Sequence, residues 1–248
     1  MDKTFNKGLA VIEALSRCDK PCGITQLAAQ LKLTKSNVHR LLQTLAAGGY
    51  VRNVGDTGSY ELTLKLWELG SKVRSRLDIA DVSGPFLKVL GDKTSEAVHL
   101  SVLSGAEVIY IDKVESPKPI RAYSMIGGRA PAYCVATGKA MLAFSSSKQF
   151  DELKSPLTRH SVNTITARAK LDRELQQVRE LGYAINRGEW REDVWGVGAP
   201  IFDQTGNVIA AVGISGPSSR LKLTVLKRYA PLVMNAAKQI SKQLGYMK

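Results

Sequence analysis

Aromatic residues are scarce in this chain, 6% of 248, and there are only three cysteines. An odd number rules out a closed disulfide framework. Cys18 and Cys22 stand four apart with no His or Cys pair at zinc spacing, so they read as free, partly buried thiols in a reducing compartment. No apolar run approaches the roughly 18 residues that a membrane-crossing helix needs. Met1 leads into a charged amphipathic segment rather than a secretory signal, so a cytoplasmic protein with no membrane partner is expected. The chain also lacks a Gly-x-Ser-x-Gly elbow, a phosphate loop and any diagnostic Cys–His spacing. No catalytic residue, metal ligand or cofactor is therefore expected. Cys134, His99 and His160 leave a thiol enzyme as the rival reading, and an architectural DNA-binding protein without ligand as a third.

Positive charge is plentiful: 35 Lys and Arg oppose 22 Asp and Glu, a net +13. Residues 1–76 carry 12 of those cations against 6 acids, so the excess is shared between the halves. It helps attraction to phosphates without locating a site. With 44% apolar residues the chain can bury a sizeable core, and its length suits about two domains.

The pattern that organises the rest lies in residues 27–50. Leu27, Ala28 and Leu31 give one short helical face, residues 32–34 are only long enough for a turn, and Val38, Leu41, Leu42 and Leu45 recur at i, i+3, i+4 and i+7. Thr34 can cap the second helix, and Gly48 and Gly49 end it. Ser36, Arg40 and Gln43 lie opposite the apolar stripe, with Asn37 and His39 on its flanks and Lys35 in the first turn. A recognition helix needs an apolar back and short polar side chains for base edges, although an isolated amphipathic helix has the same pattern. The turn does without the glycine often found in such motifs. Residues 50–52 and 60–63 then alternate as strands around a 55–58 turn, and a helix-turn-helix followed by a two-stranded ribbon is a winged helix. Arg52 falls on the wing, within reach of phosphate or the minor groove. An earlier helix with Phe5, Leu9, Ile12 and Leu15 completes a three-helix core.

Leu66, Leu69, Val73 and Leu77 mark a connecting helix, either a dimerisation element or a rigid linker. Beyond it come a helix over 79–91, strands over 99–103 and 107–114, an optional strand over 120–126, a short helix within 130–144 and a longer one over 169–181. Strands at 196–203 and 208–215 and a helix over 223–244 finish an α+β arrangement.

In this order the chain resembles the IclR family of bacterial transcription regulators, through VHRLLQTLAAGGYV, GRAPAYCVATGKAMLA, LGYAINRGEW and GVGAPIFDQTGNVIAAVGISGP. The resemblance spans essentially residues 5–245. It implies a winged helix-turn-helix over residues 1–63, a linker helix over 64–77, and a GAF-like effector-binding and oligomerisation domain over 78–248. It also implies a homo-oligomer, a dimer or a dimer of dimers, on double-stranded operator DNA. By the same resemblance the effector is contacted from Ala136 and Thr137, from Asn186 where the family has an acid, from Gly196 where it has a cysteine, and from Gly213 and Ser215 where it has serines.

Smaller groups and a lost acid suggest more room and less repulsion of an anion, hence an effector larger than a two- or three-carbon keto acid. Trp190 and Trp195 offer flat surface, and Arg187, Arg191, Arg121 or Arg129 could hold a carboxylate bidentately. A sugar acid or an aromatic acid fits both features. The expected function is thus an effector-responsive regulator, most often a repressor in this family.

Overall fold

A computed structural model describes residues 3–55, 58–74, 78–122, 124–145 and 156–247. The chain divides into two compact units, Met1–Arg76 and Leu77–Lys248.

The first unit holds α1 (Lys3–Ser16), β1 (Cys22–Gly23), α2 (Ile24–Leu31), α3 (Lys35–Ala47), β2 (Val51–Val54), β3 (Ser59–Leu62) and α4 (Leu64–Arg74). The apolar stripes of α1, α2 and α3 meet at Val11, Leu15, Leu27, Val38 and Leu42, against Val51 and Tyr60 of the wing. The wing has one strand more than the ribbon expected: β1 pairs with β3, Cys22 opposite Tyr60, in a sheet of order β1-β3-β2. Pro21 favours extended backbone just before α2, and β3 offers those residues an open edge. Burial, together with the neighbouring Cys18 thiol, pushes the Cys22 thiol up to about 11; both thiols are free. The wing tip at 56–57, part of the expected turn, lies outside the described residues, as does the end of the expected connecting helix at 75–77.

The second unit runs α5 (Asp78–Thr94), β4 (Ala97–Ser104), β5 (Glu107–Val114), β6 (Arg129–Pro131), α6 (Ala136–Leu142), α7 (Arg168–Leu181), β7 (Ala184–Arg187), β8 (Val194–Phe202), β9 (Val208–Pro217) and α8 (Leu223–Gln243). Its six-stranded sheet has the order β6-β5-β4-β9-β8-β7, antiparallel at every pairing. Alternation along the strands sends Val98, Leu100, Val212 and Ile214 to one face, under α5 and α8. Their neighbours face α6 and α7. The expected strand over 120–126 does not form among its described residues, and the short β6 takes its place. Gly127 N–H bonds to Tyr110 O at 2.7 Å and Tyr110 N–H to Gly128 O at 3.0 Å, so a glycine turn occupies the β5 edge there. The short strand β7 had no separate signal in the hydropathy pattern.

Candidate functional site

On the first unit, α3 presents the polar side expected of it. Thr34 Oγ1 accepts the Asn37 N–H at 3.3 Å and caps the helix. Lys35, Ser36, His39, Arg40 and Gln43 are exposed and Asn37 is half-buried, while Val38, Leu41 and Leu42 are buried beneath them. The turn that lacks glycine puts Lys32 itself in the left-handed region, at φ 54° and ψ 42°. Lys65 Nζ donates to Gly48 O at 2.6 Å, tying the far end of α3 to the start of α4. On the wing, Arg52 is not a free cation: it stands opposite Glu61 in the β2–β3 register and donates from Nε to Glu61 Oε1 at 2.7 Å.

The second unit contains a cavity of about 260 Å³. The sheet and the start of α6 form its floor, and Ala122, Ser124, Met125 and Gly128 together with the β7–β8 turn form its walls. It brings together every expected effector residue except Trp195: Arg129, Ala136, Thr137, Asn186, Trp190, Gly196, Gly213 and Ser215 all line it. Trp195 stands opposite Arg187 in the β7–β8 register and packs with the α5/α8 core. A strand residue next to Gly196 must face the other side of the sheet, so its assignment to the effector site is corrected.

His99, on β4 opposite Gly213, is the polar centre of the cavity and carried no expected effector role. Its Nε2 lies 2.6 Å from Ser215 Oγ and its Nδ1 3.1 Å from Ser124 Oγ. Burial, reinforced by the Lys113 charge, pushes its pKa down to about 4. The ring is therefore neutral, with one nitrogen donating and the other accepting. Tyr110 packs against it with ring centroids 5.3 Å apart, and burial pushes the phenol up to about 12, so it stays protonated. His99 and Tyr110 join the expected Ser215 only through the pairing of β4 with β9 and with β5, which hydropathy does not reveal.

The four arginines considered for a carboxylate separate clearly. Arg129 pairs with Glu107 at 3.0 Å, Arg121 with Glu115 at 3.6 Å and Arg187 with Glu174 at 3.3 Å. Arg191 lies over the Trp190 ring at 4.8 Å, lines the cavity, and has no carboxylate partner among the described residues.

Two expectations about the lining change. The glycines do not add room: a Cβ on Gly213 would lie 2.8 Å from Thr137 Cγ2, one on Gly198 2.8 Å from Thr137 N, and one on Gly196 2.5 Å from Ile214 O. The absent side chains of Gly213 and Gly198 let α6 rest directly on the sheet, and that of Gly196 leaves room for the β9 backbone. Asn186 is not a free replacement for an acid. Its Oδ1 accepts the N–H groups of Gly188 and Glu189 at 2.9 and 3.0 Å, and its Nδ2 donates to Val194 O at 3.3 Å, so it shapes the β7–β8 turn.

Cys134 is fully buried, and burial raises its thiol to about 12, which leaves almost no thiolate to act as nucleophile. Among the described residues no cluster of His, Cys, Asp or Glu could hold a metal ion, and no helix is long and apolar enough to cross a membrane.

Comparison with known proteins agrees with both halves. Residues 5–55 match the IclR helix-turn-helix domain and residues 71–242 the bacterial transcriptional regulator IclR C-terminal domain. The chain is 36% identical to the HTH-type transcriptional regulator KdgR of Escherichia coli, over 97% of this chain and 92% of that one. It is 37% identical to the DNA-binding transcriptional repressor YiaJ of Escherichia coli, over 97% and 87%. An IclR homolog from Microbacterium hydrocarbonoxydans, complexed with 4-hydroxybenzoate, shares the fold with a TM-score of 0.84 at 22% identity, over 98% and 99%. Regulators rather than enzymes make up this group, and with a helix-turn-helix at one end and the matching C-terminal domain at the other, the chain belongs to the IclR family of DNA-binding transcription regulators.

Proposed function

We propose that this regulator is a cytoplasmic repressor of a catabolic operon that is switched by a small carboxylic acid. The observation that carries the reading is the Arg191 guanidinium, without a carboxylate partner among the described residues, on the wall of a cavity whose floor is polar but neutral. One carboxylate satisfies Arg191, and hydroxyls suit Ser124 and Ser215, whose Oγ atoms His99 orients from its two ring nitrogens. A hydroxylated acid of sugar-acid size fits this pairing better than an aromatic acid, and a two- or three-carbon keto acid would leave part of the polar floor unmet. The YiaJ likeness favours repression, and the homolog holding 4-hydroxybenzoate gives a precedent for an acid ligand on this fold.

At the other end, Lys35, Ser36, Asn37, His39, Arg40 and Gln43 read the operator from the face of α3, with Thr34 and Arg52 at its edges. The domain limits are the expected ones, residues 1–63, 64–77 and 78–248, and α4 joins two copies. Its Leu64 and Trp67 are 82% and 70% exposed, which suits an apolar stripe that a second copy covers. The acid acts by binding one arrangement of the dimer more tightly than another. A coupling of about 1 to 3 kcal/mol changes operator affinity roughly 5- to 150-fold.

Thermal unfolding with D-gluconate, 4-hydroxybenzoate and pyruvate tests this. A ligand at about 100 times its Kd stabilises by about 2.7 kcal/mol. The midpoint should rise most with D-gluconate, lose about half of that rise in Arg191→Ala and in Ser215→Ala at the same acid concentration, and the same acid should release the operator. No shift with any of the three would overturn the acid reading.

A further inference from the structure

Among the described residues the most deeply buried charge has no part in the function so far described. Lys139 is on α6, two residues beyond the cavity-lining Thr137, with no exposed side-chain surface. Its Nζ donates to Glu174 Oε1 at 2.9 Å, to Ile185 O at 2.6 Å and to Glu189 Oε1 at 3.0 Å. Those partners belong to three segments: α7, β7 and the β7–β8 turn.

Glu189 is the partner that leads to the cavity. It is 2% exposed, and its second oxygen accepts the Arg187 N–H at 2.8 Å. Trp190 and Arg191, the aromatic face of the cavity wall and a cation with no carboxylate partner among the described residues, follow it directly in the chain. Ser161 and Thr164 grip the backbone of the same turn, donating to Gly188 O at 2.6 Å and Glu189 O at 2.6 Å. Arg187 completes the network on Glu174 at 3.3 Å, so two cations face two carboxylates and the charge balances.

A buried ion pair is weak evidence for stability, because desolvation offsets its attraction. Its geometry is informative in another way. With three acceptors Lys139 is saturated, and the Glu189 carboxylate can stay buried only where Nζ is. The turn is thereby held to the same helix that supplies Thr137 to the floor.

We propose that Lys139 is a positioning residue for effector recognition: through Glu189 it fixes the turn that presents Trp190 and Arg191 to the cavity. The proposal rests on the acid-effector reading for its consequence and on the turn alone for its mechanism, so the two can be tested apart.

The experiment uses the full chain carrying Trp67→Phe and Trp195→Phe, which leaves Trp190 as the only tryptophan. Lys139→Met combined with Glu189→Gln removes both charges together. Glu189→Gln alone, which leaves Lys139 on Glu174 and Ile185 O, serves if the pair does not fold. Without ligand, acrylamide quenching of Trp190 should rise about twofold as the turn opens locally. With D-gluconate as the probe, affinity should fall about tenfold, the scale of one charge-assisted hydrogen bond. Adding Arg191→Ala should then cost nothing further, because Lys139 acts through Arg191.

Unchanged quenching in a folded variant overturns the proposal, as do affinity losses that multiply with that of Arg191→Ala. If the unaltered chain does not bind D-gluconate, the sugar-acid reading fails, and the quenching comparison still decides whether Lys139 holds the turn.

Discussion

His99 shows how one side chain can sit at the centre of a cavity and be silent in a sequence. An unpaired histidine on an apolar strand reads as an ordinary core residue, and only its bonds to Ser215 and Ser124 give it a role. Its burial also makes a pH prediction. The ring titrates near 6.5 when solvated and at about 4 in the folded chain, so between those values the unfolded state binds more protons. The contribution to stability is whole above about pH 6.5 and is lost as pH falls toward 4, by at most about 3 kcal/mol. Unfolding midpoints from pH 7 to pH 4 should therefore fall more steeply for the native chain than for His99→Gln; parallel profiles would assign the loss to other groups. Lys32 makes a second prediction at this scale. A non-glycine residue at φ 54° is strained, and Lys32→Gly should stabilise the first unit by about 0.5 to 1 kcal/mol in denaturant titrations. A loss of stability would mean that the Lys32 side chain contributes more than its backbone costs.

Among the elements, the amphipathic helices were legible and the strand edges were not. Val38, Leu41 and Leu42 disclosed α3 because helical spacing is a local property. β1 and β7, two and four residues long, exist only because a neighbouring strand offers an open edge. The same limit explains Trp195: its place beside Gly196 was plain, but which face it takes depends on the strand's register. The β2–β3 ribbon itself was expected, but its register was hidden for that reason too, and the register sets Arg52 opposite Glu61. If Arg52 meets DNA phosphate as proposed, Glu61 competes for its guanidinium, and Glu61→Gln should tighten operator binding and steepen its salt dependence by up to about one unit. Arg52→Ala should flatten the dependence by about the same amount. Equal slopes in all three chains, measured by anisotropy across a salt series, would remove Arg52 from the phosphate contacts.

At the scale of the whole molecule, the sequence disclosed two units and their kinds, since a helix-turn-helix and an α+β domain have different periodicities. The resemblance names Thr137 and Ser215, and Arg191 is a candidate; what the sequence does not join to them is His99 and Tyr110, which come from strands far from Ser215 in the chain. If the acid weakens operator binding by some factor, linkage requires that operator DNA weaken acid binding by the same factor. Calorimetric titration of D-gluconate into the free protein and into its operator complex should give dissociation constants whose ratio equals the acid-induced change in operator affinity, within roughly 5- to 150-fold. Replacing Trp67 on α4 by Ser should reduce self-association and lower operator affinity, and the ratio should shrink toward one as the dimer is lost. A ratio that survives in monomeric protein would place the coupling within one chain and remove α4 pairing from the switch.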